Sequence, residues 1–155
     1  INLRPKVAGD LAHYVQAVYE VIALSDWLKA SDEDLETLGF ANVQIGESAE
    51  LVRKLRAAGA PDTLSRVALT FGGQGAHLDV DGQHHSLPVP TITLADTVGA
   101  GDTFWGNCVA DWVLGHSAST GATLRSAMQA AAINCTRAGC QPPRWSEVQA
   151  FASGA

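Results

Sequence analysis

Asp102 is the residue of this chain best placed to do chemistry, because of what surrounds it. Gly99-Ala100-Gly101 stands directly before it, and an apolar stretch of helical character, 103–114, follows. A Gly-Ala-Gly turn at a helix start leaves backbone N–H groups pointing outward with no side chain in the way. Those donors and the positive end of the helix dipole favour an anion, most often a phosphate. A carboxylate at that spot is repelled by the same anion. The economical reason for Asp102 is therefore chemical: a base beside a phosphate that is being transferred. The bland alternative is a tight turn capped by the aspartate. The lead-in Asp96-Thr97-Val98 and the follow-on Thr103-Phe104 make the pattern longer than a cap requires.

Other phosphate motifs are excluded by spacing. No Gly-Lys-Ser/Thr follows the glycines, so this is not a Walker A loop, and the GAGD spacing is not a dinucleotide fingerprint. A second glycine-rich element, Thr70-Phe71-Gly72-Gly73-Gln74-Gly75, ends a predicted strand. It offers a hydroxyl and small residues where a nucleotide can lie against backbone, although an ordinary hairpin uses such glycines too. In Lys29-Ala30-Ser31-Asp32-Glu33-Asp34 the acids can reach a magnesium ion through water and Lys29 can face phosphate. The alternative there is a solvated helix start whose acids suit the dipole. Arg4, in Asn2-Leu3-Arg4, is either a clamp for a phosphate or substrate oxygen or an ordinary surface arginine. The five histidines form no metal set.

These residues need a frame. A helix is predicted over 10–24, with Leu11, Val15, Val18 and Ile22 on one stripe. A short strand follows at 25–29, then a helix to Leu38 with Ser31 as its N-cap. A second amphipathic helix covers 47–58 and is closed by Gly59. A buried strand spans 66–71, and a hairpin of 76–80 and 83–87 turns at Asp81-Gly82. Residues 88–95 are extended and lead into the Asp102 motif, and two last helices cover 120–137 and 146–152. Strands alternating with helices predict an α/β fold, a parallel or mixed sheet with helices on its faces.

Composition sets the outer bounds. The 155 residues are 46% hydrophobic and 17% charged, which fits one globular α/β domain. A net charge of −6 argues against a broad nucleic-acid surface. No apolar run reaches the roughly 18–20 residues that span a bilayer. Cys108, Cys135 and Cys140 are odd in number and lack CxxC spacing, so they read as reduced thiols of a cytoplasmic protein, with Cys108 a small core residue. The chain opens without Met on what reads as the end of a strand, and the expectation is that it begins inside a larger fold.

Taken in order, these motifs resemble the PfkB (ribokinase-like) family of sugar kinases. Asp96-Thr97-Val98-Gly99-Ala100-Gly101-Asp102-Thr103-Phe104 is similar to its C-terminal signature. Thr70 to Gly75 is similar to its nucleotide-loop strand, and Thr136-Arg137-Ala138-Gly139-Cys140 to a Thr-Arg-x-Gly-Ala stretch near the adenine. Asn2-Leu3-Arg4-Pro5 looks like the tail of an Asp-x-Asn-x-Arg-Pro strand, a combination most similar to bacterial fructokinases and, next, 2-keto-3-deoxygluconate kinases. The resemblance implies a mostly parallel ribokinase-like sheet flanked by helices, with 1–155 as its C-terminal nucleotide-binding and catalytic part and the N-terminal half and lid absent.

It further implies ATP-dependent phosphorylation of a sugar hydroxyl, with Asp102 as general base and the N–H groups of Gly99, Ala100 and Gly101 as an anion hole. Thr70, Gly72, Gly73, Gly75, Asn134 and Lys29 fall to the nucleotide, and Asn2 and Arg4 to substrate or phosphate. The family's Asn-x-x-Glu appears here as Ser31-Asp32-Glu33-Asp34, which passes an outer-shell Mg2+ role to Asp34. Asp96 and the Val98 carbonyl, with Gly139 nearby, fall to a monovalent cation such as K+. The implied partners are ATP and a small sugar, with a homodimer formed through the absent lid and no nucleic acid or membrane. The alternative from another class is a nucleotide-binding fragment without turnover of its own.

Overall fold

A computed structural model of the chain describes residues 1–7, 9–58 and 64–153. Helix α1 (Leu11–Ala23) is started by Asp10, whose carboxylate accepts the His13 N–H at 3.1 Å. Of its predicted stripe, Ile22 is buried and Val15 and Val18 pack on the core, while Leu11 stays exposed. Strand β1 (Trp27–Ser31) begins two residues later than its predicted position. Its parallel pairing with β2 (Arg66–Thr70), from Trp27 opposite Arg66 to Ser31 opposite Thr70, sets the shift. Ser31 therefore ends a strand and caps helix α2 (Asp32–Thr37) at once. Helix α3 (Ser48–Ala58) follows as expected, and Gly59, expected to close it, lies outside the described residues.

From β2 the sheet continues antiparallel through β3 (Ala76–Val80) and β4 (Gln83–Leu87), giving the order β1-β2-β3-β4. The β3–β4 turn places Asp81 and Gly82 both at positive φ, the combination that suits the twist of a tight hairpin. Helices α4 (Ala100–Leu114), α5 (Thr120–Cys135) and α6 (Trp145–Ser153) complete the chain.

The sheet carries a core on each face, and β2 shows why. Val67 and Leu69 point to one side, into a cluster with Ile22, Leu35, Leu51 and Leu55 from α1, α2 and α3. Ala68 points to the other, where Leu78, Phe104, Cys108, Leu124 and Met128 pack under α4 and α5. Helix α5 lies close against β3 and β4, and α4 packs on α5 with Phe104 and Cys108 reaching the same core as Ala68 and Ala76. The start of α4 and the ends of β1 and β2 line one cavity. Burial pushes the Cys108 thiol well above its ordinary range, the negative Asp111 nearby adding to it, so Cys108 is an inert packing residue.

Candidate active site

The corner begins at Gly99. It adopts φ +76°, and a Cβ built on it would lie 2.2 Å from Cys140 Sγ. Only glycine fits both constraints. That turn lets α4 start at Ala100, three residues earlier than the pattern of apolar residues predicts, so Gly101 and Asp102 belong to its first turn. The Ala100 N–H donates to the Thr97 carbonyl at 3.1 Å, and Thr103 N–H closes on Gly99 O at 2.8 Å. Ala100 is thus engaged in the turn. Among the described residues, the free donors at this corner are the N–H groups of Gly99, Gly101 and Asp102.

The loop before the corner is bolted to the end of α5. Asp96 accepts the Val98 N–H at 3.0 Å and the Gly139 N–H at 2.9 Å. These two bonds hold its carboxyl below the usual range. Asn134, fully buried, donates to the Val98 carbonyl at 2.9 Å and accepts from Gln141 N–H at 2.8 Å. Both ends of its amide are spent on backbone, and it lines neither of the two cavities that meet at the corner. The expected place of Asn134 beside the base is corrected: it is a strut between two loops. A cation at Asp96 and the Val98 carbonyl would share those oxygens with N–H donors.

Asp34 is engaged in a similar way. One carboxylate oxygen accepts the Leu3 N–H at 2.8 Å and the other the Ser31 N–H at 2.9 Å, while its own N–H donates to Ser31 Oγ. Burial pushes the carboxyl up, and the bonds from Ser31 and Leu3 outweigh it, leaving it lowered. The side chain closes a buried capping box, and the residue lines the cavity that holds Asp102 with both oxygens already accepting from backbone. Its neighbours Asp32 and Glu33 line the glycine-rich cavity as well. Among the described residues no group of three or more His, Cys, Asp or Glu is placed to hold a metal ion.

Two cavities meet at the helix start. One, about 640 Å³, holds Thr70, Gly72, Gly73 and Gly75 on one wall and Ala131 and Ala132 of α5 opposite. The other, about 380 Å³, holds Asn2, Arg4, Asp34, Asp102 and Trp105. They share Lys29, Ser31, Glu33, Thr97, Ala100 and Gly101. Lys29 is the bridge: a Cβ on Gly101 would come within 3.3 Å of its ammonium, so a cation stands against the free N–H groups of α4. Gly75 lines the first cavity, yet its φ of +127° and a Cβ-to-Leu87 O approach of 2.1 Å are dictated by β4. Glu33, one of the acids read as able to reach a magnesium ion, lines both cavities; sequence reasoning missed Trp105, one turn beyond Asp102, for which helical i, i+3 spacing was the available signal. It also missed the segment 89–94, whose Val89, Ile92 and Leu94 give the larger cavity an apolar wall.

A doubly faced α/β sheet with a glycine-opened helix between two cavities is an arrangement of the ribokinase-like fold. The chain belongs to the pfkB family of carbohydrate kinases, whose sequence profile matches residues 2–147. It is 33% identical over 103 residues to a fructokinase of Rhizobium leguminosarum bv. trifolii, covering 66% of this chain and 29% of that protein. Its fold is similar to an Escherichia coli structure titled as a ribokinase II candidate in complex with ATP and Mg2+ (TM-score 0.79, 23% identity, 99% of this chain and 47% of that one). It is similar to the same degree to 2-dehydro-3-deoxygluconokinase of Thermotoga maritima (TM-score 0.79, 19% identity, 99% and 49%). The chain thus spans under a third of the fructokinase and about half of each solved relative.

Proposed function

We propose that this chain is the nucleotide-binding and catalytic part of a cytoplasmic, ATP-dependent sugar kinase, with fructose to fructose 6-phosphate as the preferred reaction. A 2-keto-3-deoxygluconate kinase is the nearest alternative. One observation carries the reading: the glycine-lined cavity and the cavity holding Asp102 touch only across Lys29, Gly101 and their neighbours. A nucleotide lying along Thr70, Gly72 and Gly73 would deliver its terminal phosphate to that junction, where the Gly101 and Asp102 N–H groups and Lys29 take up its charge.

On the far side Asp102, exposed and unpaired, accepts the proton of the sugar hydroxyl. The hydroxyl oxygen forms its bond to the γ-phosphorus as the bond to the bridging oxygen of ADP breaks in line. Asn2 and Arg4 orient the acceptor. Asp32 and Glu33 would hold the water shell of Mg2+, which when bound neutralises phosphate charge. A K+ at Asp96 and Val98, and a homodimer through a lid outside this chain, belong to the same reading.

The test is phosphate transfer from ATP to fructose, by the 155-residue chain and by the longest polypeptide that carries it. Asp102→Asn should lower turnover at least ~10³-fold with ATP affinity within about twofold. Near-normal turnover in that variant sinks the base assignment. ATP binding without transfer to any sugar would favour the non-catalytic reading.

A further inference from the structure

The Asp102 cavity contains one large aromatic residue that the proposed chemistry does not use. Trp105 lies three residues after Asp102 on α4, so the two side chains rise from neighbouring positions on one helix face. It lines the 380 Å³ cavity with Asp102, Asn2 and Arg4, and does not line the nucleotide side. Its ring is held from behind. Trp112 meets it edge-on at 5.6 Å between centroids, and Trp27 meets Trp112 edge-on at 5.2 Å. The Arg66 guanidinium covers Trp27 and Trp112, at 4.8 and 5.2 Å from their centroids. Trp105 is thus the last ring of a braced row that runs from the start of β1 to the catalytic corner, and it remains half-buried, with surface left to the cavity.

We infer that Trp105 is a stacking platform for the phosphoryl acceptor and selects a cyclic sugar over a linear one. This rests on the kinase reading of the site. A sugar ring has a rim of hydroxyls and a face of C–H groups. The polar side chains of this cavity, among them the Asp102 carboxylate, the Arg4 guanidinium and the Asn2 amide, suit the rim, and a flat indole suits the face. A linear polyol presents no such face and must also lose more rotational freedom to lie against the ring. The row of rings behind Trp105 fixes its plane before the acceptor arrives, which is what positioning a hydroxyl at Asp102 requires.

The test compares acceptors. Trp105→Leu removes the ring while keeping bulk, Trp105→Ala removes both, and Trp105→Phe keeps a ring; Phe151→Leu, at an aromatic residue of α6 that lines none of these cavities, is the control. Kinetics are measured for fructose and for a linear hexitol, with unfolding monitored by circular dichroism. We expect Trp105→Leu to raise the fructose KM about tenfold, with kcat and the ATP KM within about twofold. The fructose-over-hexitol ratio of kcat/KM should fall by a similar factor. Trp105→Phe should restore most of both, and Phe151→Leu should change neither. If the alanine variant does not fold, the leucine variant carries the comparison. An unchanged fructose KM and acceptor ratio in a folded Trp105→Leu overturns this inference and leaves the kinase reading standing. A wild-type protein that phosphorylates no sugar overturns both.

Discussion

Replacing Gly99 by alanine should damage the corner in a way that a second substitution can repair. Two costs add. Alanine at φ +76° sits in the left-handed region, worth roughly 1–2 kcal/mol. Its Cβ would also stand 2.2 Å from Cys140 Sγ and 2.9 Å from Cys140 Cβ, far inside contact distance. Relieving that overlap means shifting the 136–141 loop, which the Gly139 and Gln141 N–H groups tie to Asp96 and Asn134. Overpacking of that kind costs about 1–3 kcal/mol. The sum, roughly 2–5 kcal/mol, corresponds at about 2–4 °C per kcal/mol to a melting temperature lower by on the order of 10 °C. Cys140→Gly removes both clashing atoms, so in that background Gly99→Ala should cost only the backbone share. A double-mutant cycle of thermal unfolding, run under reducing conditions, should therefore give a coupling of about 1–3 kcal/mol. Additive effects would refute the steric account. A Gly99→Ala protein as stable as its parent would refute the turn geometry altogether.

Gly101→Val, at a position with ordinary φ, should leave the fold intact, push Lys29 off the helix start and raise the ATP KM at least tenfold; unchanged ATP kinetics would argue against the anion site. Asp34→Ala should cost about 2–4 kcal/mol by orphaning the Leu3 and Ser31 N–H groups, with the Mg2+ dependence of turnover moved less than about threefold. A tenfold shift in Mg2+ dependence at unchanged stability would return Asp34 to a metal role. His77 is held down to about 4 by burial, with Asp79 opposing and His84 and His85 adding, against 6.5 when exposed. The unfolded chain therefore takes up a proton between pH 6.5 and 4 that the folded chain refuses. Stability should be unaffected above pH 6.5 and fall by up to about 3 kcal/mol as pH drops to 4. Denaturant titrations at stepped pH check this, and a slope unchanged by His77→Phe would refute it.

The elements and the family were legible because their signals are local. Asp10 and Ser31 announce helix starts by side-chain chemistry, and Asp81-Gly82 announces its turn by the φ values it needs. The glycine turn that opens α4 was legible for the same reason, although the helix's first residue was placed three positions late. Apolar periodicity starts only where side chains reach the core, at Thr103 and Phe104, whereas the helix itself starts where the backbone first turns. The bonding of Asn134 and Asp34 was not legible, for a common cause. Both residue types suit ligands, and sequence cannot say whether a polar side chain is already satisfied. Here a loop reaches each one from a distance in sequence: Val98 from 36 residues away for Asn134, and Leu3 from 31 away for Asp34.

The same accounting separates residues that build the corner from residues that can act in it. Asp96, Asn134 and Asp34 each have both side-chain polar atoms committed to backbone partners. Asp102 has no partner, and neither do the N–H groups of Gly101 and Asp102 itself, among the described residues. Asp96 and Asn134 line neither cavity, Asp34 lines the smaller one with its oxygens already taken, and the unsatisfied groups lie where the two cavities meet. A turn made only to start a helix would not need three polar side chains bracing the loops around it while its own donors stayed open. That division supports the proposed reading of the corner, with an anion at the N–H groups and a proton donor at Asp102.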